Sequence, residues 1–227
     1  MLRHLLSAAA LLAALSTAAT ADTLWVDAAN PDCPGSGSAA DPFCSIQDAV
    51  DAAAPLDTIS VLPGVYVENV WILNKALTLT GRMGAAVTTI AGVDEVPTIT
   101  VIGAGSAGTV IEHFTITGGK GLVTGFNPFH TELAGAGIFA NADVTVRHNV
   151  IEGNAFYTSM SNTWTGSGGG IAIVEDASGI IHANVIRSNT CTQGGGIYYS
   201  GNAAGEIRGN VIEDHGSASG RGGGMVV

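Results

Sequence analysis

Three basic side chains recur at one position of a pattern that repeats in the second half of the chain. Arg147, His182 and Arg208 each stand two residues before an asparagine, and an earlier copy of the pattern has Glu112 there. A histidine can take up or release a proton near neutral pH, and an arginine can neutralise a carboxylate. This column is the candidate for acid–base chemistry. The alternative is that the column is only a solvated charged face. This alternative is favoured because no cluster of carboxylates stands at the same position of the repeat, where Glu112 is the only one.

Two insertions interrupt the same repeat and carry many of its aromatic side chains. They span residues 120–134 and 155–167, whereas the equivalent connections at 190–193 and 216–221 are short. Aromatic faces bind sugar rings, and variable loops on a rigid scaffold often carry binding sites. We therefore expect substrate or ligand contacts there; the alternative is that these rings fold back over the protein. The candidates are Phe126, Phe129, His130, Phe156, Tyr157 and Trp164.

The repeat itself predicts how these residues are positioned. Glycine clusters begin at Gly135, Gly168, Gly194 and Gly222, which lie 33, 26 and 28 residues apart. Self-similarity at such a period indicates a solenoid, in which equivalent residues of successive coils stack. Three sets of residues are expected to form such stacks: Asn149, Asn184 and Asn210 at one turn, Asn154 and Asn189 at the next, and Ile151, Ile186 and Ile212 inside. Asparagine tolerates the left-handed backbone of a tight turn, and we expect these side chains to bond their neighbours in the coils above and below.

A helix is expected only near the start of the chain. Ser45 and Asp48 have the spacing of a capping box, and apolar residues at Ile46, Ala49, Val50 and Ala53 form one stripe of a helix over residues 46–53. Short β runs follow from Thr58 onward. The helix is therefore expected to cover the end of the first coil.

Several of these segments resemble a known superfamily. Residues 43–53, Asp57-Thr58-Ile59 and residues 62–69 resemble the N-terminal cap and first coil of secreted parallel β-helix proteins of the pectate-lyase-like superfamily. The later Asn-x-Ile-x-x-Asn units resemble its repeats, so the resemblance covers nearly all of the chain after residue 21. It implies an all-β fold: a right-handed, single-stranded parallel β-helix with a short N-terminal capping α-helix.

The resemblance implies two functions, because the superfamily contains both enzymes and proteins without known chemistry. The first is a scaffold or binding protein that engages extracellular polysaccharide through the two insertions. The second is a uronate-polysaccharide lyase that uses Arg147, His182 or Arg208. Only the lyase would need Ca²⁺, and its carboxylates would have to come from Asp143, Glu175 and Asp176, which lie between the aligned segments. No other cofactor is expected.

The first 21 residues have the layout of a secretory signal peptide. Arg3 precedes an apolar run, and Ala19-Thr20-Ala21 is a small-x-small cleavage site. The alternative is an N-terminal anchor helix, although the run is short for a membrane span. We expect a signal peptide at 1–21, a cap at 22–57 and a parallel β-helix at 58–227. The predicted location is secreted or in the cell envelope.

Charge and cysteine content narrow the partners. Without Arg3, seven basic residues remain against 19 acidic ones, a net charge of −12 that disfavours nucleic acid and anionic lipid. Export would place Cys33 and Cys44 in an oxidising compartment, where we expect them to form a disulfide, with Cys191 as an unpaired turn thiol. No zinc spacing is present.

A fourth repeat begins at Gly222 and breaks off at Val227. A further segment or a partner is expected to cover it.

Overall fold

The chain winds through successive coils of short strands. A computed structural model describes residues 20–93, 96–121, 134–156, 166–221 and 223–227. In chain order its elements are β1 Thr23–Val26, α1 Ile46–Ala52, β2 Thr58–Val61, β3 Gly64–Val67, β4 Val70–Leu73, β5 Thr78–Gly81, β6 Thr88–Ala91, β7 Ile99–Ile102, a 3₁₀ turn Ala104–Ser106, β8 Thr109–Glu112, β9 Thr115–Thr117, β10 Ile138–Ala140, β11 Val144–Arg147, β12 Val150–Glu152, β13 Ile171–Ile173, β14 Ser178–His182, β15 Val185–Arg187, β16 Thr190–Gln193, β17 Ile197–Tyr199, β18 Ala204–Arg208, β19 Val211–Glu213, β20 Gly216–Arg221 and β21 Met225–Val226.

These strands form three parallel sheets along the coil axis. Sheet 1 has the order β1-β2-β5-β8-β11-β14-β18, sheet 2 the order β3-β6-β9-β12-β15-β19, and sheet 3 the order β4-β7-β10-β13-β17-β21. Strands β16 and β20 form a short extra pair. Each full coil contributes one strand to each sheet, and parallel strands joined by crossovers coil right-handedly. The predicted right-handed parallel β-helix is confirmed.

The interior consists of stacked aliphatic side chains. Alternate residues of a strand face opposite sides, so every second residue of each strand points into the coil. The fully buried stacks include Ile59, Leu79, Ile111, Val146 and Ile181 in sheet 1, Ile90, Ile116, Ile151 and Ile186 in sheet 2, and Ile99, Ile138, Ile171 and Ile197 in sheet 3. Ile212 packs against this core but is only partly buried. A side chain that fits one coil fits the next, which explains the repeated Ile and Val.

Helix α1 covers the first coil, as the apolar stripe predicts. Ser45 Oγ accepts a hydrogen bond from Asp48 N at 3.1 Å, which is the predicted cap. Ile46, Ala49 and Val50 are buried toward the coil. Because these three residues occupy one face of the helix, they close the hydrophobic stack at its first coil.

Charged side chains from the first coil hold both ends of α1. The two carboxylate oxygens of Glu68 accept from the backbone N–H groups of Ile46 and Gln47, each at 2.9 Å. At the other end Lys75 Nζ donates to the carbonyls of Val50 at 2.8 Å, Asp51 at 3.3 Å and Ala53 at 3.0 Å. A negative group at the N-terminus and a positive group at the C-terminus complement the helix dipole.

Two columns of asparagines line the turns on either side of sheet 2. In the first column the side-chain oxygens of Asn149, Asn184 and Asn210 accept from the backbone N–H one coil earlier, at 3.0, 3.0 and 2.9 Å. Asn154 and Asn189 do the same in the second column, at 3.0 Å each. Their amide nitrogens donate to carbonyls of the preceding coil, so the buried side chains are satisfied.

The left-handed backbone of the first turn lies beside the asparagine column and not on it. The left-handed residue is the one before each column position, with φ of 69° at His113, 56° at His148 and 55° at Ala183. Among the described residues, Asn149, Asn184 and Asn210 have no positive φ. The preceding residue turns the chain out of sheet 1, and the asparagine amide then bonds to the neighbouring coils along the column.

The three cysteines differ in environment. Cys33 and Cys44 are joined in a disulfide, with their Cα atoms 5.6 Å apart. Cys191, in β16, is a free and buried thiol. Separately, none of the helices within the described ranges has the length and apolarity needed to cross a bilayer.

Candidate functional site

The predicted basic column exists as a row of side chains along one edge of sheet 1. Arg147 pairs in register with Glu112 on one side and with His182 on the other, and His182 pairs with Arg208. Each of these residues is the last of its strand, and its neighbour Val146 or Ile181 points inward. We call Glu112, Arg147, His182 and Arg208 the sheet 1 strip.

Both arginines of the strip are already bound by carboxylates. Arg147 Nε lies 2.6 Å from Glu112 Oε2, and Arg208 Nε lies 2.9 Å from Glu206 Oε1. Glu206 is two residues before Arg208 on the same strand, so its side chain also faces outward. Each arginine charge is therefore matched by a nearby carboxylate, and the strip carries little net charge.

The strip extends into two further histidines that sequence reasoning missed. The ring of His148 lies edge-on to the rings of His113 and His182, with centroid separations of 5.2 and 5.6 Å. These residues occupy the left-handed turn position, where residue types vary from coil to coil. Their only sequence signal is that His113 and His148 both follow a strip residue.

Within the strip, His182 has a pKa that is displaced from its usual value. Loss of hydration lowers the pKa of His182 below its usual value, and the positive charge of Arg208, the neighbouring His148 and then Arg147 lower it further. The imidazole is therefore neutral at pH 7, with one nitrogen as donor and the other as acceptor. A neutral imidazole can form hydrogen bonds to sugar hydroxyls and can also act as a base.

The carboxylates that a lyase would recruit lie at the opposite edge of sheet 1. Asp143, Glu175 and Asp176 line a cavity of about 640 Å³ at the corner between sheets 3 and 1. A four-residue strand separates Asp143 from Arg147, which is about 13 Å of extended chain.

These carboxylates already have hydrogen-bond partners. Asp143 accepts from Ser178 N at 2.6 Å, Glu175 from Asn141 at 3.1 Å and Asp176 from Asn202 at 2.9 Å. Across the described ranges, no group of three or more His, Cys, Asp or Glu side chains could hold a metal ion.

The two insertions leave the coil at one corner, between sheets 2 and 3. At their entry Ala155 pairs with Thr190, and Thr190 with Gly216. At their exit Ala134 pairs with Ser167, and Ser167 with Gln193. The residues at which the insertions begin and end therefore stack on the equivalent residues of the neighbouring coils. Phe126, Phe129, His130, Tyr157 and Trp164 lie outside the described residues, so their role in binding stays a prediction.

Phe156 is the one predicted binding aromatic within the described residues, and it is buried. Only 6% of its surface is exposed. Its ring lies between Gly121 and Gly166, where a β-carbon at either position would overlap it. Phe156 therefore packs at the base of the insertions and does not present an open face to a sugar. No sequence signal marks this packing, because the two glycines are 45 residues apart in the chain.

Comparison with known proteins finds similarity of fold to a solved structure. No protein-family profile matches the chain, and no curated protein matches it in sequence. Among solved structures the chain is similar to a pectin methylesterase from carrot, with a TM-score of 0.44 and 16% identity. The similarity covers 84% of this chain and 65% of that one, so the chain spans less than two thirds of that enzyme's length. The fold assignment itself rests on the three parallel sheets.

Proposed function

We propose that this β-helix binds an extracellular or envelope polysaccharide without cleaving it. The observation that supports this most is the pairing of both strip arginines, Arg147 with Glu112 and Arg208 with Glu206. A lyase needs a free positive group at the substrate carboxylate. A binding surface needs hydrogen-bond donors and acceptors instead, and these pairs provide both.

The strip suits a polymer because its polar groups repeat along the coil axis. Successive strands of a sheet lie about 4.8 Å apart, so Arg147, His182 and Arg208 present hydrogen-bonding groups at regular intervals on a rigid surface. Sugar hydroxyls both donate and accept, as do a neutral imidazole and an Arg–Glu pair. Trp164 and the other aromatics of the insertions would add stacking contacts.

An uncharged polysaccharide fits better than a polyuronate. The strip is close to neutral because each arginine has a carboxylate partner. Beyond it, the chain after residue 21 carries a net charge of −12, which repels polyanions at low ionic strength. We therefore expect neutral glycans to bind more tightly than polyuronates of the same length.

A uronate lyase is the second candidate, and the state of His182 favours it. A neutral imidazole beside the guanidinium of Arg147 could remove the proton α to a uronate carboxylate. The electron pair of that C–H bond would form a C=C bond as the C–O bond to the glycosidic oxygen breaks, and that oxygen would take a proton from water. Arg147 would first have to exchange Glu112 for the substrate carboxylate.

Affinity electrophoresis with neutral and uronate polysaccharides tests the proposal. Arg147→Ala should weaken binding about tenfold, the effect of losing roughly 1.4 kcal/mol of polar contacts. Arg187→Ala is the matched control, since Arg187 is also exposed and ion-paired, to Glu152 at 2.7 Å, but lies on sheet 2. It should bind as the unaltered protein does.

Absorbance of the unsaturated product separates the two candidates. Uronate polymers should give no such product with the unaltered protein. Turnover that is lost on His182→Ala would replace the binding proposal with the lyase. Equal loss of binding in Arg147→Ala and Arg187→Ala would mean that only overall charge matters, which contradicts a site on the strip.

A further inference from the structure

Asp57 is a buried carboxylate at the edge of the first coil. Only 4% of its surface is exposed. One carboxylate oxygen accepts from the backbone nitrogen of Asp22 and the other from that of Ala54, each at 2.8 Å. Asp57 thereby connects the segment before β1 to the end of helix α1.

Within the described residues, no salt bridge is formed by this carboxylate. The salt bridges of the described chain join Glu112 to Arg147, Glu152 to Arg187 and Glu206 to Arg208, and none includes Asp57. Lys75 donates to the helix carbonyls nearby rather than to Asp57. Buried aspartates are rarely left without a positive partner, because removing the charge from water is costly.

Cleavage of the predicted signal peptide would supply a positive charge at the backbone nitrogen of Asp22, which donates to Asp57. Ala19-Thr20-Ala21 is the predicted cleavage site, so cleavage would make Asp22 the first residue. Thr20, Ala21 and Asp22 are exposed, which leaves this peptide bond accessible. The nitrogen that cleavage would convert from an amide to an α-ammonium is the nitrogen that already donates to Asp57.

We propose that hydrolysis of the Ala21–Asp22 bond creates an ammonium that forms a salt bridge with Asp57 and locks β1 onto the first coil. Water adds across the amide, its oxygen goes to the new carboxylate of Ala21, and its protons go to the nitrogen of Asp22. The Asp22 carbonyl already accepts from Thr58 N at 2.8 Å, and Thr23 pairs with Thr58. The new charge therefore acts at the start of the β1–β2 ladder.

Thermal unfolding of two forms of the chain tests this. One form begins at Asp22, produced by export or by a protease that leaves no extra residue. The other carries Gly-Ser before Asp22, which keeps the N–H donor but not the charge. We expect the form that begins at Asp22 to melt about 3 °C or more above the extended form, the shift given by roughly 1 kcal/mol in a chain of this size.

Asp57→Asn identifies the partner of the new charge. It keeps an acceptor oxygen, so both forms should still fold, and their melting temperatures should then agree within about 1 °C. Glu213→Gln, an exposed carboxylate in the last coil, is the control and should preserve the full difference. Equal melting of the two unaltered forms, or a difference that survives Asp57→Asn, would overturn the proposal.

A second variant covers a failure of Asp57→Asn to fold. Selective acetylation of the α-amine removes its charge and leaves every side chain in place. The acetylated form should melt like the Gly-Ser extended form. If acetylation has no effect, the ammonium does not contribute and the proposal is wrong.

Discussion

Nδ1 of His215 accepts a hydrogen bond from the backbone N–H of Asn189 at 3.2 Å, in the column position that asparagine occupies on the two preceding coils. Its other ring nitrogen, Nε2, is buried, and the imidazole also lies beside the backbone of Ile186. His215 thus continues the turn with a buried imidazole whose charged form is disfavoured, a cost in acid that an asparagine would avoid.

His215→Asn should therefore stabilise the chain, and more so in acid. Burial lowers the pKa of His215 below its usual 6.5. The unfolded chain then takes up a proton near pH 6.5 while the folded chain does not, so stability present above that pH is lost as pH falls. We expect the variant to melt about 2–4 °C higher at pH 5, with a smaller gain at pH 8.

Exposed His148 provides the control for this effect. His148→Asn should not reproduce the acid-dependent gain in the same thermal scans. A gain at His215 that is equal at both pH values would show that packing, and not protonation, separates the two side chains.

Asn184 is the middle of the first asparagine column, and its loss should be costly. Its oxygen accepts from Asn149 N, and its amide nitrogen donates to Val146 O at 2.8 Å and to Asn210 Oδ1 at 3.0 Å. Asn184→Ala leaves these buried groups unpaired, so urea unfolding should show a loss of about 2–4 kcal/mol. Exposed Asn202, bonded to Asp176 at 2.9 Å, is the control. Asn202→Ala should cost less than about 0.5 kcal/mol.

The asparagine columns could be predicted from the sequence because each coil imposes the same requirement on the same position. Asn149, Asn184 and Asn210 share one environment, as do Ile151 and Ile186, so repetition of type reports stacking. The register of the sheet 1 strip follows from the same alignment. The position that each repeated residue takes within its coil can therefore be predicted from a single sequence.

Contacts that occur once in the fold could not be predicted in this way. Lys75 meets the end of α1 across more than 20 residues, and the burial of Phe156 depends on Gly121 and Gly166. His215 replaces an asparagine in the column and therefore breaks the pattern that would have revealed it. The left-handed turn residues could not be predicted for a further reason. They share a backbone conformation but no common side-chain type, as His113, His148 and Ala183 show.

Lys75 should contribute to stability through the helix carbonyls that it binds. Lys75→Met keeps the length of the side chain and removes the charge and the three donors. We expect a loss of about 1–2 kcal/mol, and faster hydrogen exchange at the amides of α1 than at those of the β14–β15 region. Lys75→Arg should recover part of the loss. Uniform acceleration of exchange over the whole chain would argue against a local role.

The three cysteines should become reactive toward a thiol reagent at different stages of unfolding and reduction. Cys191 is 2% exposed and burial raises the pKa of its thiol, so no thiol should react with an aromatic disulfide reagent in the native protein. Unfolding without a reductant should expose one thiol, and unfolding after reduction should expose three. Two reactive thiols in the native protein would show that Cys33 and Cys44 are not joined.

Loss of the disulfide should lower stability by a modest amount. Joining Cys33 to Cys44 closes a short loop, worth about 3 kcal/mol in the chain-entropy estimate. The double change Cys33→Ser and Cys44→Ser should lower the free energy of unfolding by about that amount. Cys191→Ala at another buried site is the control and should not alter the response to reductant.

The insertions can be tested through the aromatic that sequence reasoning ranks among their binding residues. Trp164→Ala should weaken binding of a neutral polysaccharide, because one stacking face is lost, whereas Trp164→Phe should retain much of it. Melting temperature, measured alongside, separates binding from folding. Full binding by Trp164→Ala would confine the site to the sheet 1 strip.

Calorimetric titration of a neutral polysaccharide into the unaltered protein and into Arg147→Ala and Arg187→Ala tests the central claim most directly. We expect saturable binding that is about tenfold weaker in Arg147→Ala and unchanged in Arg187→Ala, with no release of unsaturated product from any uronate polymer. Absence of binding, or uronate cleavage that disappears on His182→Ala, would contradict the account.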